Sequence, residues 1–148
     1  MSKYEDLPFA LTLHVRDHCL CLHVRRAARA LARRYDEALR PFGLTNGQFS
    51  LMMSLNRPEP PTMGDVSALL AMDRTTLTAN LKPLERRGLV LVAVDGADKR
   101  SRRLALTEAG RKTLAEAVPH WRRAQAENEE RVSEVEPDRL RSALRALS

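Results

Sequence analysis

The chain has 148 residues, of which 43% are hydrophobic and 30% are charged, and its net charge is +6 with a pI near 10.0. This length is enough to bury a core without disulfide bonds or metal ions, and no apolar run approaches the roughly 18 residues of a membrane span. The charge is concentrated, because residues 74–112 carry ten basic and four acidic side chains whereas residues 125–138 are rich in acid. An anionic partner is therefore expected.

Other features of the composition exclude several classes of protein. The N-terminus lacks the basic start and long apolar block of a signal peptide, which predicts a cytoplasmic protein with no membrane partner. The two cysteines, Cys19 and Cys21, are too few and too close for a disulfide framework. Aromatic residues make up only 4% of the chain, which argues against modules that stack nucleic-acid bases. No catalytic triad, carboxylate pair or phosphate-binding loop is evident, so the chain is not expected to be an enzyme.

The first third of the chain predicts an arm and a long helix. Residues 1 to about 17, interrupted by Pro8, are expected to form an arm with one helical turn. Apolar residues recur at steps of three and four over residues 18–39, which predicts the first long helix, ended by Pro41 and Gly43. A helix of about 20 residues spans about 30 Å, which is more than a small domain needs. Its extra length suggests contact with a second subunit.

Two short helices are predicted next. Thr45 is a suitable N-cap for the first, and the proline-rich residues 56–61 form a loop. Thr62 then caps the second helix, which is expected to reach Leu70 and to turn Leu69 toward the core.

A third helix, from residue 74 to about 87, has one apolar and one polar face. Three leucines are predicted to be buried: Leu77, Leu81 and Leu84. Asp73 is a suitable N-cap, and Gly88 is a suitable residue just after the helix. Pro83 removes the hydrogen bond to the carbonyl of Ala79 and is expected to bend the helix axis.

The remaining segments predict a hairpin and two helices. Residues 89–94 and 103–106 are apolar runs separated by a basic connection, which is typical of a β-hairpin. Thr107 opens a long helix that is expected to continue to about Val135, and Pro137 begins a final helix.

These elements predict a mainly α fold with a small β-hairpin wing. We assign a winged helix-turn-helix to residues 45–107, called the winged lobe below, and helical dimerisation regions to residues 1–40 and 108–148. Four motifs in order resemble those of the MarR family of bacterial transcription regulators. They are Leu44-Thr45-x-x-Gln48-Phe49, Leu70-Ala71-Met72-Asp73-Arg74-Thr75-Thr76-Leu77-Thr78, Leu84-Glu85-Arg86-Arg87-Gly88-Leu89-Val90, and Asp98-Lys99-Arg100 followed by Leu106-Thr107-Glu108-x-Gly110.

The resemblance implies a DNA-binding regulator and its partners. It implies a homodimer built from the first helix and the last two, which binds a palindromic operator in double-stranded DNA, usually as a repressor. It also implies release by a small molecule or an oxidant, most commonly a small aromatic or phenolic ligand. The candidate residues for lining the effector site are Cys21, Arg25, Phe49, Met52, Met53 and Trp121. No cofactor or metal ion is expected.

The third helix and the hairpin carry the candidate DNA contacts. A recognition helix reads base edges in the major groove through side chains of its N-terminal half, which here are Arg74, Thr75, Thr76, Thr78 and Asn80. Lys82 and Arg86 are expected to bind phosphates. The family resemblance implies that Arg100 enters the minor groove and that Asp98 bonds either Arg100 or the loop backbone. Arg102 and Arg103 flank that arginine, and one of them is expected to face phosphate.

Two other functions remain open. The hydroperoxide-sensing branch of the family carries a reactive cysteine at the position of Cys21, although Asn46 and Phe49 stand where that branch has tyrosines. On a continuous helix Cys19 and Cys21 would point about 200° apart and could not bridge each other. A nonspecific architectural DNA-binding protein is the second alternative. His14, His18 and His23 lie near the cysteines, but their spacing matches no standard metal site.

Overall fold

The computed structural model describes residues 6–148 and consists of seven helices, a 3₁₀ turn and a two-stranded hairpin over that range. The elements are α1 Phe9–His18, α2 Leu20–Leu39, the 3₁₀ turn Arg40–Phe42, α3 Asn46–Ser54, α4 Met63–Leu70, α5 Arg74–Arg86, β1 Val90–Val94, β2 Arg102–Leu106, α6 Glu108–Glu130 and α7 Pro137–Ala146. The chain divides within α2 into two compact units, one ending at Arg34 and the other formed by Tyr35–Ser148. None of the helices within residues 6–148 is long and apolar enough to cross a membrane.

The N-terminal unit differs from the predicted arm and continuous helix. α1 has ten residues where about one helical turn was expected, and residues 1–5 of the predicted arm lie outside the described residues. Cys19 leaves the helical conformation, with φ −67° and ψ 111°, so α2 begins at Leu20 rather than at His18. A break of one residue leaves the apolar spacing almost unchanged, and periodicity therefore could not reveal it.

The winged lobe is built on one buried cluster. The predicted stripe of α5 is buried, with Leu77 and Leu84 both at 0% exposure. It packs with residues from α3, α4 and the hairpin, which include Phe49, Leu51, Met52, Val66, Val90 and Leu104. The prediction for Leu69 is wrong, because this side chain is 66% exposed. The eight-residue α4 buries the strip around Val66, and Leu69 lies to one side of that strip.

Capping side chains set the helix boundaries as predicted. Thr45 Oγ1 accepts the backbone N–H of Gln48 at 3.2 Å, and Gln48 Oε1 accepts the N–H of Thr45 at 3.0 Å. Thr62 and Asp65 form the same box at the start of α4. Asp73 accepts the N–H of the third residue of α5 at 2.7 Å, which confirms its role as N-cap.

Two helices continue through a proline. Pro83 lies inside α5 and Pro119 inside α6. The expected extension of α6 to about Val135 is wrong, because the helix ends at Glu130. The residues that follow include valines and a serine, which favour a helix less than the preceding alanine and glutamate residues do. α7 begins at Pro137, as predicted.

The second strand of the hairpin, β2, forms backbone hydrogen bonds along both of its edges. β1 and β2 are antiparallel, with Val90 opposite Leu106 at the base. The loop before α4 lies along the other edge of β2, where the N–H of Leu104 donates to the carbonyl of Pro61 at 3.0 Å. The base of the hairpin is thereby fixed to the rest of the winged lobe.

Candidate functional site

The polar face of α5 is open to solvent. The exposed predicted contacts on this helix are Arg74, Thr75, Thr76, Lys82 and Arg86. Thr78 is half-buried. Hydrogen bonding from Thr76 to the carboxylate of Asp73 lowers the pKa of Asp73, because it stabilises the charged form. The cap orders the first helical turn, which carries the predicted base-reading side chains.

Asn80 is placed differently from the other predicted base contacts. It is half-buried, and its Nδ2 donates to the carbonyl of Thr76 at 3.1 Å and lies 3.7 Å from Sδ of Met72. Its Oδ1 lies 3.3 Å from the position that a Cβ on Gly47 would occupy. The amide therefore packs between α5 and α3, and it would have to leave these contacts to reach a base.

The tip of the wing is ordered by its own backbone. Asp98 Oδ1 accepts the N–H of Arg100 at 2.9 Å, and the carbonyl of Asp98 accepts the N–H of Ser101 at 3.0 Å. Of the two partners expected for Asp98, the structure therefore has the loop backbone. Arg102 Nη1 donates to the carbonyls of Lys99 and Ser101 at 3.2 and 3.3 Å. The side chains of Lys99 and Arg100 are exposed.

Arg103 binds other parts of the winged lobe. Its Nη1 donates to the carbonyl of Pro60 at 2.8 Å, and its Nε lies 3.4 Å from Oδ1 of Asp95. Hydrogen bonds from the N–H of Ala97 and then from Arg103 lower the pKa of Asp95. Sequence reasoning missed this ion pair, because Arg103 lies on β2 whereas Asp95 follows β1 in the connecting loop, and only the conformation of that loop brings the two side chains together.

A cavity of about 230 Å³ lies within the Tyr35–Ser148 unit. It is lined by Tyr35, Leu39, Asn46, Phe49, Ser50 and Trp121. The ring of Trp121 stacks on Phe49 and Tyr35 at centroid distances of 6.0 and 6.5 Å. Aromatic walls with a few polar groups suit a small aromatic molecule, and the volume is below the roughly 300–1,000 Å³ of pockets for drug-sized ligands.

The predicted effector residues are only partly brought together. Phe49 and Trp121 line this cavity, whereas Met52 is fully buried in the core and Met53 is 42% exposed outside it. Cys21 and Arg25 belong to the N-terminal unit. Sequence reasoning missed three polar residues of the lining, Tyr35, Asn46 and Ser50, because polar side chains give no periodic signal for burial.

Tyr35 joins one wall of the cavity to the C-terminal helices. Its hydroxyl donates to Gln125 Oε1, and burial raises the pKa of this phenol. Gln125 Nε2 donates to Glu129 Oε1 at 2.6 Å. Arg141 Nη1 donates to the same carboxylate oxygen at 2.7 Å. A chain of hydrogen bonds therefore runs from the cavity through α6 to α7.

The cysteines lie at the junction of α1 and α2. Both are free thiols, with Cys21 exposed and Cys19 half-buried. Because Cys19 is not helical, the expected separation of about 200° between the two side chains, which assumed a continuous helix, does not hold. His14 and His18 stack on each other, and His23 Nδ1 lies 2.7 Å from the carbonyl of Cys19. Within residues 6–148 no three His, Cys, Asp or Glu side chains gather in a metal-binding arrangement.

Comparisons with known proteins relate the winged lobe to transcription regulators. A family model described as the MarR family matches residues 42–101. The DNA complex of the M. tuberculosis transcriptional regulator MosR is 45% identical, with a TM-score of 0.79 over 88% of this chain and 93% of that one. The HTH-type regulator YwoH of Bacillus subtilis is 32% identical over 63% of this chain and 67% of its own length.

A more distant relative extends over the whole chain. The transcriptional repressor MprA of Escherichia coli K12 is 28% identical over 99% of this chain and 81% of its own length. The alignments with the first three curated relatives span 67%, 54% and 54% of those proteins.

Proposed function

The chain belongs to the MarR family of DNA-binding transcription regulators, and from this premise we propose that it is a homodimeric repressor that binds a palindromic operator and is released by a small aromatic ligand. Regulators of this family are not enzymes. One observation carries the proposal: the winged lobe exposes both the N-terminal half of α5 and Arg100 at the wing tip. A regulator of bacterial genes acts on DNA in the cytoplasm, and we place this chain there.

The proposed contacts divide into base reading and phosphate binding. Arg74 is suited to bidentate hydrogen bonds with guanine, and the methyl groups of Thr75 and Thr78 suit thymine. Lys82 and Arg86 bind phosphates on the same groove. Arg100 enters the adjoining minor groove, where a narrow A·T-rich segment attracts a guanidinium group.

Exposed apolar side chains outside the winged lobe support a homodimer. α1 and α7 each bury none of their residues in the single chain. The large apolar side chains left exposed in the N-terminal unit, in α7 and directly after α7 include Phe9, Leu11, Val15, Leu20, Leu144 and Leu147. Apolar surface of this extent is typical of a protein interface. A second copy would cover it and would set two recognition helices about 34 Å apart, one helical turn of DNA.

The cavity beside Trp121 is the proposed effector site. A phenolic ring fits its aromatic walls, and Ser50 and Asn46 supply polar groups for a hydroxyl or carboxylate. Release from DNA requires that the ligand bind the DNA-free conformation more tightly than the DNA-bound one.

Footprinting on the DNA next to the protein's own gene tests the proposal. We expect two protected half-sites one helical turn apart and a particle of two chains in sedimentation. Adding a phenolic compound such as salicylate should remove the protection. Protection without two-fold symmetry, or a single chain at the concentration that binds DNA, would rule out the homodimer on a palindrome.

A thiol-based regulator is a second candidate, favoured by the exposure of Cys21 beside the non-helical Cys19. Oxidation there would alter the α1–α2 junction, and with it the proposed dimer surface. The test compares operator binding before and after mild peroxide treatment in the wild type and in Cys21→Ser. Loss of binding in the wild type alone supports this candidate, and equal behaviour of the two proteins excludes it.

A further inference from the structure

The C-terminal end of α5 is tied to the turn that follows α2. The guanidinium group of Arg87, the residue that ends the helix, donates from Nη1 to the carbonyl of Gly43 and from Nη2 to the carbonyl of Phe42, both at 2.9 Å. Gly43 has a left-handed backbone with φ +65°, and a Cβ there would lie 3.2 Å from Nη1. Glycine therefore allows both the turn and the close approach of the arginine.

The turn that receives Arg87 is itself fixed on its other side. The ring of Phe42 meets the ring of His120 on α6 edge to face, with centroids 4.9 Å apart. Leu39, directly before the turn, is fully buried and lines the cavity. The two hydrogen bonds of Arg87 thus connect α5 to a turn that is packed against α6 and the buried core.

Hydrogen bonds to residues outside the helix matter at this end of α5 because of Pro83. A proline has no N–H, so the last turn of the helix lacks the bond to the carbonyl of Ala79. The buried leucines determine which face of α5 points inward, but a tilt at the C-terminal end would still displace the base-reading end. That end lies roughly 20 Å away, at 1.5 Å per residue.

We propose that Arg87 is a positioning residue for DNA recognition, which holds α5 at the angle needed for base reading through its bonds to Phe42 and Gly43. This inference rests on the proposed reading of DNA by α5. Both Arg87 and its neighbour Arg86 are exposed, but the guanidinium group of Arg87 binds two backbone carbonyls, whereas Arg86 is proposed to bind phosphate. Neutralising a phosphate contact weakens binding to any DNA and reduces its salt dependence, whereas losing a positioning bond weakens binding mainly to the specific site.

The test measures affinity for operator and random DNA over a range of salt concentrations in the wild type, Arg87→Ala, Arg87→Lys and the charge-matched control Arg86→Ala. For Arg87→Ala we expect about a tenfold loss of affinity for operator DNA, which is the size of effect produced by losing hydrogen bonds from a charged donor. The slope of log affinity against log salt concentration, called the salt slope below, should not change. Arg87→Lys should recover part of the loss, because an ammonium group reaches one of the two carbonyls. Arg86→Ala should weaken both DNAs alike and reduce the slope by about one.

Two results would overturn the inference alone. In the first, Arg87→Ala loses the same affinity for operator and random DNA and has a reduced salt slope, and Arg87→Lys recovers the full affinity. That result would identify a phosphate contact. The other is unchanged operator affinity in Arg87→Ala. If Arg87→Ala does not fold, the lysine variant decides, because only a positioning role predicts a loss confined to operator DNA. Equal wild-type affinity for the two DNAs would instead overturn the proposed function and this inference with it.

Discussion

The carbonyl oxygen of Leu89 lies 2.1 Å from the position that a Cβ on Gly110 would occupy. The same carbonyl accepts the N–H of Thr107 at 3.1 Å, and Thr107 Oγ1 donates to the carbonyl of Gly88 at 2.6 Å. The first turn of α6 is thus packed directly against the chain that enters β1. A glycine is required at position 110 because any side chain would push these two segments apart.

Gly110→Ala should therefore destabilise the protein. Overpacking at a backbone contact costs about 2 kcal/mol of unfolding free energy, measurable by urea denaturation. Gly64→Ala is the matched control, because the nearest atom to a Cβ there is Thr62 Oγ1 at 3.8 Å. That control should lose no stability, and equal stability of the two variants would contradict the packing argument.

Arg100→Ala should weaken operator binding without affecting the dimer. Its exposed guanidinium stands at the wing tip, and the loss should be roughly tenfold to a hundredfold, in line with the about 1–3 kcal/mol of a specific base contact. Gel shifts at moderate salt measure the affinity, and sedimentation measures the dimer. Arg111→Ala, which removes an exposed charge outside the predicted contacts, serves as the control. Unchanged affinity in Arg100→Ala would remove this residue from the interface.

The cap of the recognition helix should make stability depend on pH. The pKa of Asp73 is lowered in the folded state, so its contribution is present above the unfolded pKa of about 3.9 and is lost as the pH falls through the folded value. Asp73→Asn keeps a cap that does not titrate. The Tm of the wild type relative to this variant should therefore fall when the pH is lowered below about 4. A constant Tm difference from pH 7 to pH 2.5 would show that the carboxylate charge does not contribute.

Binding in the cavity should be visible in the fluorescence of Trp121, which is the chain's one tryptophan. Titration with a phenolic ligand should quench its emission. Ser50→Leu should weaken this binding by filling part of the cavity, whereas Met53→Ala, which changes a residue outside the lining, should leave the titration unchanged. Quenching that is affected by Met53→Ala and not by Ser50→Leu would place the ligand elsewhere.

The parts of the fold that local chemistry determines could be predicted from the sequence. Thr45 and Asp73 cap the helices they precede, and the leucines of α5 are buried at helical spacing. What the sequence did not reveal depends on contacts between distant positions. The pairing of Asp95 with Arg103 requires the conformation of the loop between the strands, and the bonds of Arg87 require the turn at Gly43. Composition likewise identified a basic surface but could not distinguish arginines that face solvent from those that bind backbone carbonyls.

The ratio of affinities for operator and random DNA tests the central claim most directly. A sequence-specific regulator should bind the footprinted site roughly 10³-fold or more tightly than random DNA of equal length at the same salt concentration. That ratio should fall in Arg74→Ala, which removes a proposed base contact. Equal affinities for the two DNAs would contradict the proposal and would indicate an architectural protein that binds DNA through its phosphates alone.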